Sequence, residues 1–403
     1  MQLPPSDFEK LSGPERARRS TNLKIAYLVH DLSDPAVHRR VRMLKIASAQ
    51  VMLIGFRRTA KLLRDVEGCE TIDLGATRDG AFLARIGSVA SAAMRLQRLE
   101  EALRGCQVVL ARNLEMLFLA VRARRRYAPN ASLVFECLDI HRMLLGEGLS
   151  GHLLRSIETS LMRDVDLILT SSPRFISEYF SPRNFNRPVK ILENKVLLAD
   201  PEISRPSLPA QPIGPPWRIG WFGMLRCRRS FEILRSVARE AGGRLQIRIA
   251  GRPSPKEFPD FVTLLADAPH VTFTGPYRVD ELPALYGDMH FSWAVDFFEQ
   301  GLNSSWLLPN RIYESSFFGS VPIAVEGVET ARWLADKQIG VILRGRPETS
   351  LRDFFMTLTD RRYRELAGAL QVVPPAELVD AKESCHRLLE TFERLNVPAR
   401  AGY

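Results

Sequence analysis

Two series of short apolar segments, each separated by helical spacing, constrain the fold of this 403-residue chain more than any other feature. The first series runs from Leu23–His30 (LKIAYLVH) to Val189–Leu192, and the second from Trp217–Phe222 to Val341–Leu343. Apolar runs that alternate with helices predict a parallel sheet covered by helices on both faces. The sequence therefore predicts two doubly wound α/β domains in tandem.

The individual apolar runs define the predicted strands. In the first half these are Leu23–His30, Val51–Phe56, Thr71–Leu74, Gln107–Ala111, Ser132–Glu136, Leu167–Thr170 and Val189–Leu192. In the second half they are Trp217–Phe222, Leu245–Ala250, Val271–Thr274, His290–Ala294, Val321–Val325 and Val341–Leu343. In such a pair of domains, we expect a ligand in the cleft at the carboxyl ends of the strands.

Proline-rich stretches divide the chain. The segment 204–216 (SRPSLPAQPIGPP) predicts a linker between an N-terminal domain, residues 23–203, and a C-terminal domain, residues 217–375. A second break at Pro374 and Pro375 precedes a predicted C-terminal helix, roughly Ala376 to Leu395, within residues 376–403. The polar and basic residues 1–22 predict a flexible extension.

The net charge and the cysteine content indicate the kind of partner and the cellular compartment. The net charge of +10 and the pI of about 9.6 favour anionic partners: nucleic acid, phosphorylated substrates or an anionic membrane surface. Alternatively, these charged side chains lie on solvated helix faces and bind no partner. The cysteines are odd in number and form no CxxC pair, which predicts a reducing compartment and no zinc site. Without an apolar leader or a stretch of about 18 apolar residues, the chain is predicted to be cytoplasmic.

The segment Asn310–Ala324 (NRIYESSFFGSVPIA) is the most informative one. We expect Glu314 to open a helix that Gly319 ends, with Pro322 in the following strand. A carboxylate in the first turn of a helix at the cleft can accept two hydrogen bonds from a ribose diol. Alternatively, Glu314 only interacts favourably with the helix N-terminus.

A second motif, Ile219–Arg229 (IGWFGMLRCRR), leads from a strand through a glycine turn into a basic helix start. Gly223 allows a close backbone approach to phosphate. The helix N-terminus adds amide donors, and Arg228 or Arg229 can bind phosphate with two hydrogen bonds. The alternative is an exposed basic helix start.

These motifs resemble the donor site of GT-B glycosyltransferases, in particular bacterial enzymes of family 4 and related exopolysaccharide-biosynthesis enzymes. The resemblance covers roughly residues 23–395 and is densest in the C-terminal domain. It implies that Glu314 binds the nucleotide ribose and that Asn310 and Arg311 lie beside the diphosphate. The family commonly has a Lys about six residues after the glycine, and Arg228 or Arg229 takes that place here.

The same resemblance extends to the glycines of IAGR and VTFTGP, which are Gly251 and Gly275. In the family these turns lie near the nucleotide base. Tyr277 or Arg278 is therefore expected to contact the base. Each glycine alone would indicate only a turn, and their order and spacing carry the argument.

In the N-terminal domain, the loop after the first predicted strand is expected to face the cleft. The resemblance implies that it lies near the acceptor and the donor phosphates. The acceptor-side candidates are His30, Asp31, Ser33 and Arg39. Within the same loop, Asp34 is expected to cap the first helix, with Pro35 at its first position.

The segment SLVFECLDIH, residues 132–141, ends in the catalytic candidates Asp139 and His141. Retaining family members often carry a His-Asp pair here and another Glu eight residues before Glu314, whereas this chain has Leu138 and Trp306. These departures favour an inverting reaction in which Asp139 deprotonates the acceptor hydroxyl. Alternatively, Asp139 caps a helix or pairs with an arginine.

The resemblance predicts transfer of a hexose from a nucleotide sugar, in particular a UDP-sugar, to a glycan or polyprenyl-diphosphate-linked acceptor. The reaction would belong to bacterial exopolysaccharide or surface-glycan synthesis. No metal and no cofactor are predicted, since Arg, Lys and helix dipoles can neutralise the leaving diphosphate. Asp296 and Glu299 do not form a convincing pair for Mg²⁺.

Three other functions are compatible with parts of the sequence. A nucleotide-sugar epimerase would have the same architecture and is the first alternative. A nucleic-acid-binding protein is disfavoured because no zinc finger, RNP-like aromatic motif or glycine-lysine clamp is present. A dehydrogenase is disfavoured because the first predicted strand of each domain lacks the three-glycine, dinucleotide-binding turn after it.

Two basic segments predict contact with an anionic membrane surface. They are the amphipathic segment Ala81–Gly105 and the cluster Arg122–Arg126. Alternatively, they are ordinary helices packed on the core.

Overall fold

The computed structural model describes residues 22–58, 62–77, 82–198, 203, 205–206 and 212–396. The strands of the first half are β1 Lys24–Val29, β2 Gln50–Arg57, β3 Asp65–Val66, β4 Cys69–Ala76, β5 Val108–Arg112, β6 Ser132–Cys137, β7 Leu167–Thr170, β8 Val189–Ile191 and β9 Val196–Leu197. Its helices are α1 Pro35–Ile46, α2 Phe82–Met94, α3 Glu100–Leu103, α4 Leu114–Tyr127, α5 Arg142–Leu145, α6 Leu149–Leu161 and α7 Pro173–Phe175.

The second half follows the same alternation. Its strands are β10 Trp217–Leu225, β11 Leu245–Pro253, β12 Val271–Phe273, β13 Phe291–Trp293, β14 Val321–Val325, β15 Val341–Leu343 and β16 Val379–Asp380. Its helices are α8 Arg228–Glu240, α9 Phe261–Ala266, α10 Leu282–Gly287, α11 Asn303–Trp306, α12 Asn310–Phe317, α13 Glu329–Asp336, α14 Pro347–Thr357, α15 Asp360–Val372, α16 Pro375–Leu378 and α17 Lys382–Leu395.

The first half forms an eight-stranded sheet in the order β3-β4-β2-β1-β5-β6-β7-β8, parallel except for the β3–β4 pair. Successive side chains of a strand point to opposite faces. On β1, Ala26 and Leu28 accordingly enter one core, while Ile25, Tyr27 and Val29 enter another. Burial on both faces explains why the strands appear as continuous apolar runs.

The second half forms a six-stranded parallel sheet in the order β12-β11-β10-β13-β14-β15. The strand order reverses between β10 and β13, as it does between β1 and β5 in the first sheet. Ligands of doubly wound sheets bind outside the carboxyl ends of the strands at such switch points. The prediction of two doubly wound, Rossmann-like domains in tandem is confirmed.

Every predicted strand overlaps a strand of the structure, and the three that the sequence analysis missed, β3, β9 and β16, have only two residues each. The prediction of one helix from Ala376 to Leu395 is wrong. The chain forms α16, then the strand β16, and only then α17 from Lys382. Because Val379 and Asp380 pair with β9 in extended conformation, they interrupt the helix.

The end of the chain returns to the first half. The helix α17 packs on α1 and contributes Cys385, Leu388, Leu389 and Phe392 to the core on one face of the first sheet. The β9–β16 pair lies at the same junction. Within the described ranges, no helix is long and apolar enough to span a membrane.

Candidate active site

Three glycine turns converge at the carboxyl ends of β10, β11 and β12. Gly223 lies opposite Gly251 in the parallel register, and the amide of Gly251 donates to the Gly275 carbonyl at 2.8 Å. Gly223 and Gly251 have φ values of +117° and +136°, which side chains disfavour. A Cβ on Gly251 would lie 1.8 Å from the Gly223 carbonyl oxygen. Glycine is therefore required where these backbones touch, and the strand ends stay open to a ligand.

The Glu314 carboxylate lies beside two tyrosines at these turns. The Tyr286 hydroxyl, fully buried, donates to Glu314 Oε2 at 2.8 Å. The Tyr277 hydroxyl is 3.9 Å from the position that a Cβ on Gly223 would take. Burial raises the pKa of Tyr277, and the Glu314 carboxylate raises it further. Burial also raises the pKa of Glu314, although the Tyr286 hydrogen bond and Arg311 act in the opposite direction.

The helix α12 carries Glu314 in its second turn, so the prediction that Glu314 opens the helix is wrong. Pro309 is extended, and the helix begins directly after it, at Asn310. Because Asn310 is four residues before Glu314, the two lie on one face of α12. Arg311 donates to the last carbonyl of β13 at 3.2 Å. Gly319, with φ of +86°, ends the helix as predicted.

A pocket at the end of β10 concentrates positive charge from both domains. Its cationic side chains are Arg142 of α5, Arg226, Arg228 and Arg229 around the start of α8, and Lys256 after β11. Glu257, Glu299 and the rings of Phe297 and Phe298 also line it. The first amides of α8 belong to the same region. Guanidinium groups beside a helix N-terminus are suited to an anionic phosphate.

The two arginines predicted to bind phosphate are held differently. Arg228 already forms two hydrogen bonds with the exposed Asp260, at 2.9 and 3.3 Å. Arg229 lies over the Phe297 ring at 4.3 Å from its centroid and donates to Gln300 at 2.9 Å. Arg229 thus lies at the pocket wall, and no carboxylate of the described residues forms an ion pair with it.

Arg226 is a candidate that the sequence analysis missed. Its Nη2 is 3.0 Å from Asp296 Oδ2. Burial lowers the pKa of Arg226, but the carboxylates of Asp296, Asp139 and Glu299 together raise it above its usual value. Arg226 therefore lies among carboxylates from both domains. Its position three residues after Gly223, inside a motif already recognised, was the signal that could have found it.

Asp139 reaches the second domain across the cleft. The side-chain amide of Asn303, 2% exposed, donates to Asp139 Oδ1 and accepts from the backbone amide of Ile140 at 3.3 Å. Burial raises the pKa of Glu299, and the Asp139 carboxylate adds to that effect. Asp139 does not cap the following helix, because the cap of α5 is His141. Sequence reasoning had no signal for Asn303, since a lone Asn in a loop has no distinguishing pattern.

Two further residues of the predicted site have structural contacts. His141 Nδ1 accepts from the backbone amide of Met143 at 3.3 Å at the start of α5. Trp306, eight residues before Glu314, packs edge-on against Phe175 with ring centroids 6.4 Å apart. Its carbonyl accepts from Ser172 Oγ at 2.5 Å. Trp306 thus joins the two domains.

The loop after β1 holds three of the four predicted acceptor-side residues. The buried Asp31 accepts from the amide and hydroxyl of Ser33 at 2.9 and 2.7 Å. His30 Nδ1 lies 3.2 Å from Asn113 Nδ2, and its Nε2 lies 3.8 Å from Asp34. Burial lowers the pKa of His30, although the Asp34 carboxylate acts in the opposite direction. Asp34 caps α1 as predicted, with its carboxylate 2.8 Å from a backbone amide.

Arg39 and Arg278 lie outside the β1 loop and the glycine turns, although the positive charge of Arg39 still acts to lower the pKa of Glu314. Arg39 donates to the Lys195 carbonyl at 2.6 Å and to Asp380 at 2.5 Å, so it joins α1 to the β9–β16 junction rather than to the β1 loop. Arg278 has a side chain that is 80% exposed and is paired with Asp280 at 2.9 Å. Of the two residues expected to contact the base, only Tyr277 lies with the glycine turns.

No cluster of three or more His, Cys, Asp or Glu that could hold a metal ion occurs in the part of the chain that the structure describes. The two carboxylates weighed as a Mg²⁺ pair, Asp296 and Glu299, are in contact with Arg226 and Asn303. The polar groups of the pocket are thus arranged around cations of the chain itself.

Comparison with known proteins gives the family. The succinoglycan biosynthesis protein ExoL of Rhizobium meliloti (strain 1021) is 44% identical over 382 residues, which cover 94% of this chain and 95% of that protein. The chain belongs to the family of ExoL. No family model matches the sequence. The predicted resemblance to glycosyltransferases of exopolysaccharide biosynthesis is confirmed.

Solved structures agree on the fold. Sucrose-phosphate synthase from Thermosynechococcus elongatus matches with a TM-score of 0.69 and 12% identity, over 92% of this chain and 98% of that one. HepE from Anabaena, solved in complex with UDP-glucose, matches with a TM-score of 0.67 and 13% identity, over 92% of this chain and 100% of that one. At these identities the likeness concerns the fold. This member of the ExoL family is a GT-B glycosyltransferase.

Proposed function

We propose that this glycosyltransferase transfers a hexose from a UDP-sugar to a glycan or polyprenyl-diphosphate-linked acceptor during exopolysaccharide or surface-glycan synthesis. The observation that carries the proposal is the convergence of three glycine turns beside Glu314 and a pocket of five cations. The role of ExoL in succinoglycan biosynthesis and the UDP-glucose bound by HepE support the class of donor and product. We place the reaction at the cytoplasmic face of the membrane, where such acceptors are exposed.

The donor nucleotide would lie along the carboxyl ends of β10 to β12. Glu314 would accept hydrogen bonds from the ribose diol, and its contact with Tyr286 holds the carboxylate in place. The bare backbones of Gly223 and Gly251 would allow the diphosphate to approach. Tyr277, at the same turns, would stack on or hydrogen-bond to the nucleoside.

The leaving diphosphate would be stabilised by Arg226, Arg229 and the N-terminus of α8. Negative charge grows on the leaving oxygen as the glycosidic bond breaks, and preorganised cations stabilise it most in the transition state. Five cationic side chains in one pocket support neutralisation by the chain's own residues rather than by a metal. Arg228 would contribute less because two hydrogen bonds to the exposed Asp260 hold its guanidinium, whereas Asp296 takes one hydrogen bond of Arg226.

Asp139 would act as the general base of an inverting transfer. In this step the acceptor hydroxyl attacks the anomeric carbon, its proton passes to Asp139, and the bond to the nucleoside diphosphate breaks. Asn303 contacts Asp139 through its amide and would orient the carboxylate. The replacement of the retaining-type Glu by Trp306, a packing residue, supports the choice of mechanism.

The test is incubation of the purified chain with UDP-glucose and other nucleotide sugars, with and without membrane-extracted acceptor. Acceptor-dependent release of UDP, with labelled sugar in the acceptor fraction, is the expected result. Conversion of the nucleotide sugar to its epimer without any acceptor would favour the epimerase instead. A thermal-shift comparison of UDP with other nucleotides identifies the donor class, since a ligand of the native state raises its stability.

A further inference from the structure

The helix α6 exposes its stripe of apolar side chains to solvent, unlike an ordinary surface helix. Leu149, Leu153 and Ile157 follow each other at intervals of four residues, so they lie on one face. Their side chains are 91%, 63% and 38% exposed. Helices of globular proteins normally turn such a stripe toward the core.

The opposite face of α6 is held in place by polar contacts and close packing. Glu158, 1% exposed, accepts from the Tyr179 hydroxyl at 2.6 Å and pairs with Arg183 at 3.1 Å. A Cβ on Gly151 would lie 2.3 Å from the Gly146 carbonyl oxygen, so the helix start is packed directly on backbone. Turning α6 to bury its leucines would break the Glu158 contacts and expose a buried carboxylate. The exposed stripe is therefore a stable feature of the fold.

The outward face of α6 carries no Asp, Glu, Lys or Arg. Besides the apolar stripe it presents small or neutral polar residues, namely Ser150, His152, Ser156, Thr159 and Ser160, all exposed. Exposed charged side chains lie instead at the two ends. Arg142 precedes the helix and also lines the cationic pocket of the cleft. Arg163 follows it, next to Arg187, which donates to the Arg163 carbonyl at 2.7 Å. One exposed carboxylate, Glu147, stands before the helix.

We propose that α6 docks this enzyme on an anionic lipid bilayer. Leu149 and Leu153 would enter the boundary between headgroups and acyl chains, while Arg142 and Arg163 would contact lipid phosphates. An uncharged face between cationic ends, on a chain with a net charge of +10, complements an anionic lipid surface. The proposal rests on the proposed function in one respect. A membrane-held acceptor would require the cleft pocket that includes Arg142 to lie close to the bilayer.

A second copy of the chain fits the stripe less well. Three partly exposed side chains offer apolar area on the order of 300 Å². A stable protein–protein interface buries about 800 Å² on each partner. A bilayer has no such minimum, because each inserted side chain contributes by itself.

The elements that the sequence analysis associated with the membrane are less suitable. Within α2, Val89 is buried and packs in the core beneath the first sheet. In the basic cluster of α4, Arg125 is bound through two hydrogen bonds to Asp164, at 2.9 and 2.7 Å. Arg124 lies 3.9 Å from both Asp164 and Asp166. These carboxylates neutralise charge that an anionic leaflet would otherwise attract.

The experiment is flotation of the full chain with vesicles of equimolar phosphatidylglycerol and phosphatidylcholine at low salt. The wild type should float, and Leu149→Ser/Leu153→Ser should lower the partition coefficient at least about tenfold. The matched control Val262→Ser/Val372→Ser removes two side chains of the second domain, 81% and 82% exposed, and should float like the wild type. Melting temperatures of all three proteins show that each is folded.

Three outcomes overturn the proposal: no flotation of the wild type, equal flotation of the Leu149/Leu153 variant, or loss of flotation in the control as well. Sedimentation velocity adds a fourth, namely a wild-type dimer that the Leu149/Leu153 variant abolishes. UDP binding by the Leu149/Leu153 variant, measured in solution, should equal that of the wild type. This measurement separates the two proposals. If the wild type binds no UDP, the proposed function fails, whereas the flotation results alone decide whether α6 docks on the bilayer.

Discussion

The contact between Gly251 and Gly223 makes a quantitative prediction about the donor site. In Gly251→Ala, the new Cβ would stand 1.8 Å from the Gly223 carbonyl oxygen, a distance that no native contact approaches. The oxygen belongs to the backbone of the neighbouring strand, so no flexible side chain can move out of the way. The residue also has a φ of +136°, which an alanine adopts only with strain.

The expected cost combines two effects. Forcing a side chain into a backbone conformation that favours glycine costs about 1–3 kcal/mol. Separating two packed strand ends costs about 1–3 kcal/mol more, as overpacking does in cores. For a domain of 150–250 residues, each kcal/mol shifts the melting temperature by roughly 2–4 °C. Gly251→Ala should therefore lower the melting temperature of the second domain by about 4–24 °C.

The assay compares this variant with Gly368→Ala. Gly368 lies in the middle of α15, is exposed, and has open space where its Cβ would stand. Alanine there should stabilise the chain by about 0.5–1 kcal/mol. UDP affinity, measured by calorimetry well below both melting temperatures, should fall in Gly251→Ala and stay unchanged in Gly368→Ala. Wild-type melting temperature together with wild-type UDP affinity in Gly251→Ala would refute the reasoning.

Three further predictions concern the candidate roles. Asp139→Asn should lower turnover about 10²–10⁴-fold with unchanged UDP affinity, and NMR of the product should show an inverted anomeric centre; retention would contradict the base role. Arg226→Ala should lower kcat by about 10²–10³-fold and weaken UDP binding far less, whereas the exposed Arg278→Ala should leave both unchanged. UDP binding should weaken as the pH falls through the raised pKa of Glu314, because protonation removes the negative charge of the carboxylate that accepts hydrogen bonds from the ribose hydroxyls. Glu314→Gln should bind UDP roughly 10–100-fold more weakly without that pH dependence; an identical pH profile in wild type and variant would exclude Glu314.

The fold could be predicted because its strands are buried on both faces. A strand such as β1 or β10 leaves an unbroken apolar run in the sequence, and its neighbours do the same. The short strands β9 and β16 leave no such trace. They form because two distant segments meet where α17 returns to α1, and no local pattern encodes that meeting. Long-range pairing therefore overrode the local helical pattern at Val379 and Asp380.

The donor half of the site was more predictable than the catalytic half. Gly223, Gly251 and Glu314 stand in short motifs, and each motif brings its own strand end to the same edge of the sheet. Asn303 contacts Asp139 of the other domain, and the Asp139 carboxylate also raises the pKa of Arg226. The sequence carries no information on which loop of one domain faces which loop of the other, so Asn303 could be found only from the structure, whereas Arg226 could have been found from its place in the motif after Gly223.

The segment α11 explains how the two halves of the site depend on each other. Its Asn303 contacts Asp139, its Ser305 carbonyl accepts from Arg174 at 3.4 Å, and its Trp306 carbonyl accepts from Ser172. All three partners belong to the first domain. The segment α11 therefore forms a bridge between the domains. Because Asn303 belongs to this bridge, the contact between the domains also orients Asp139, the proposed base.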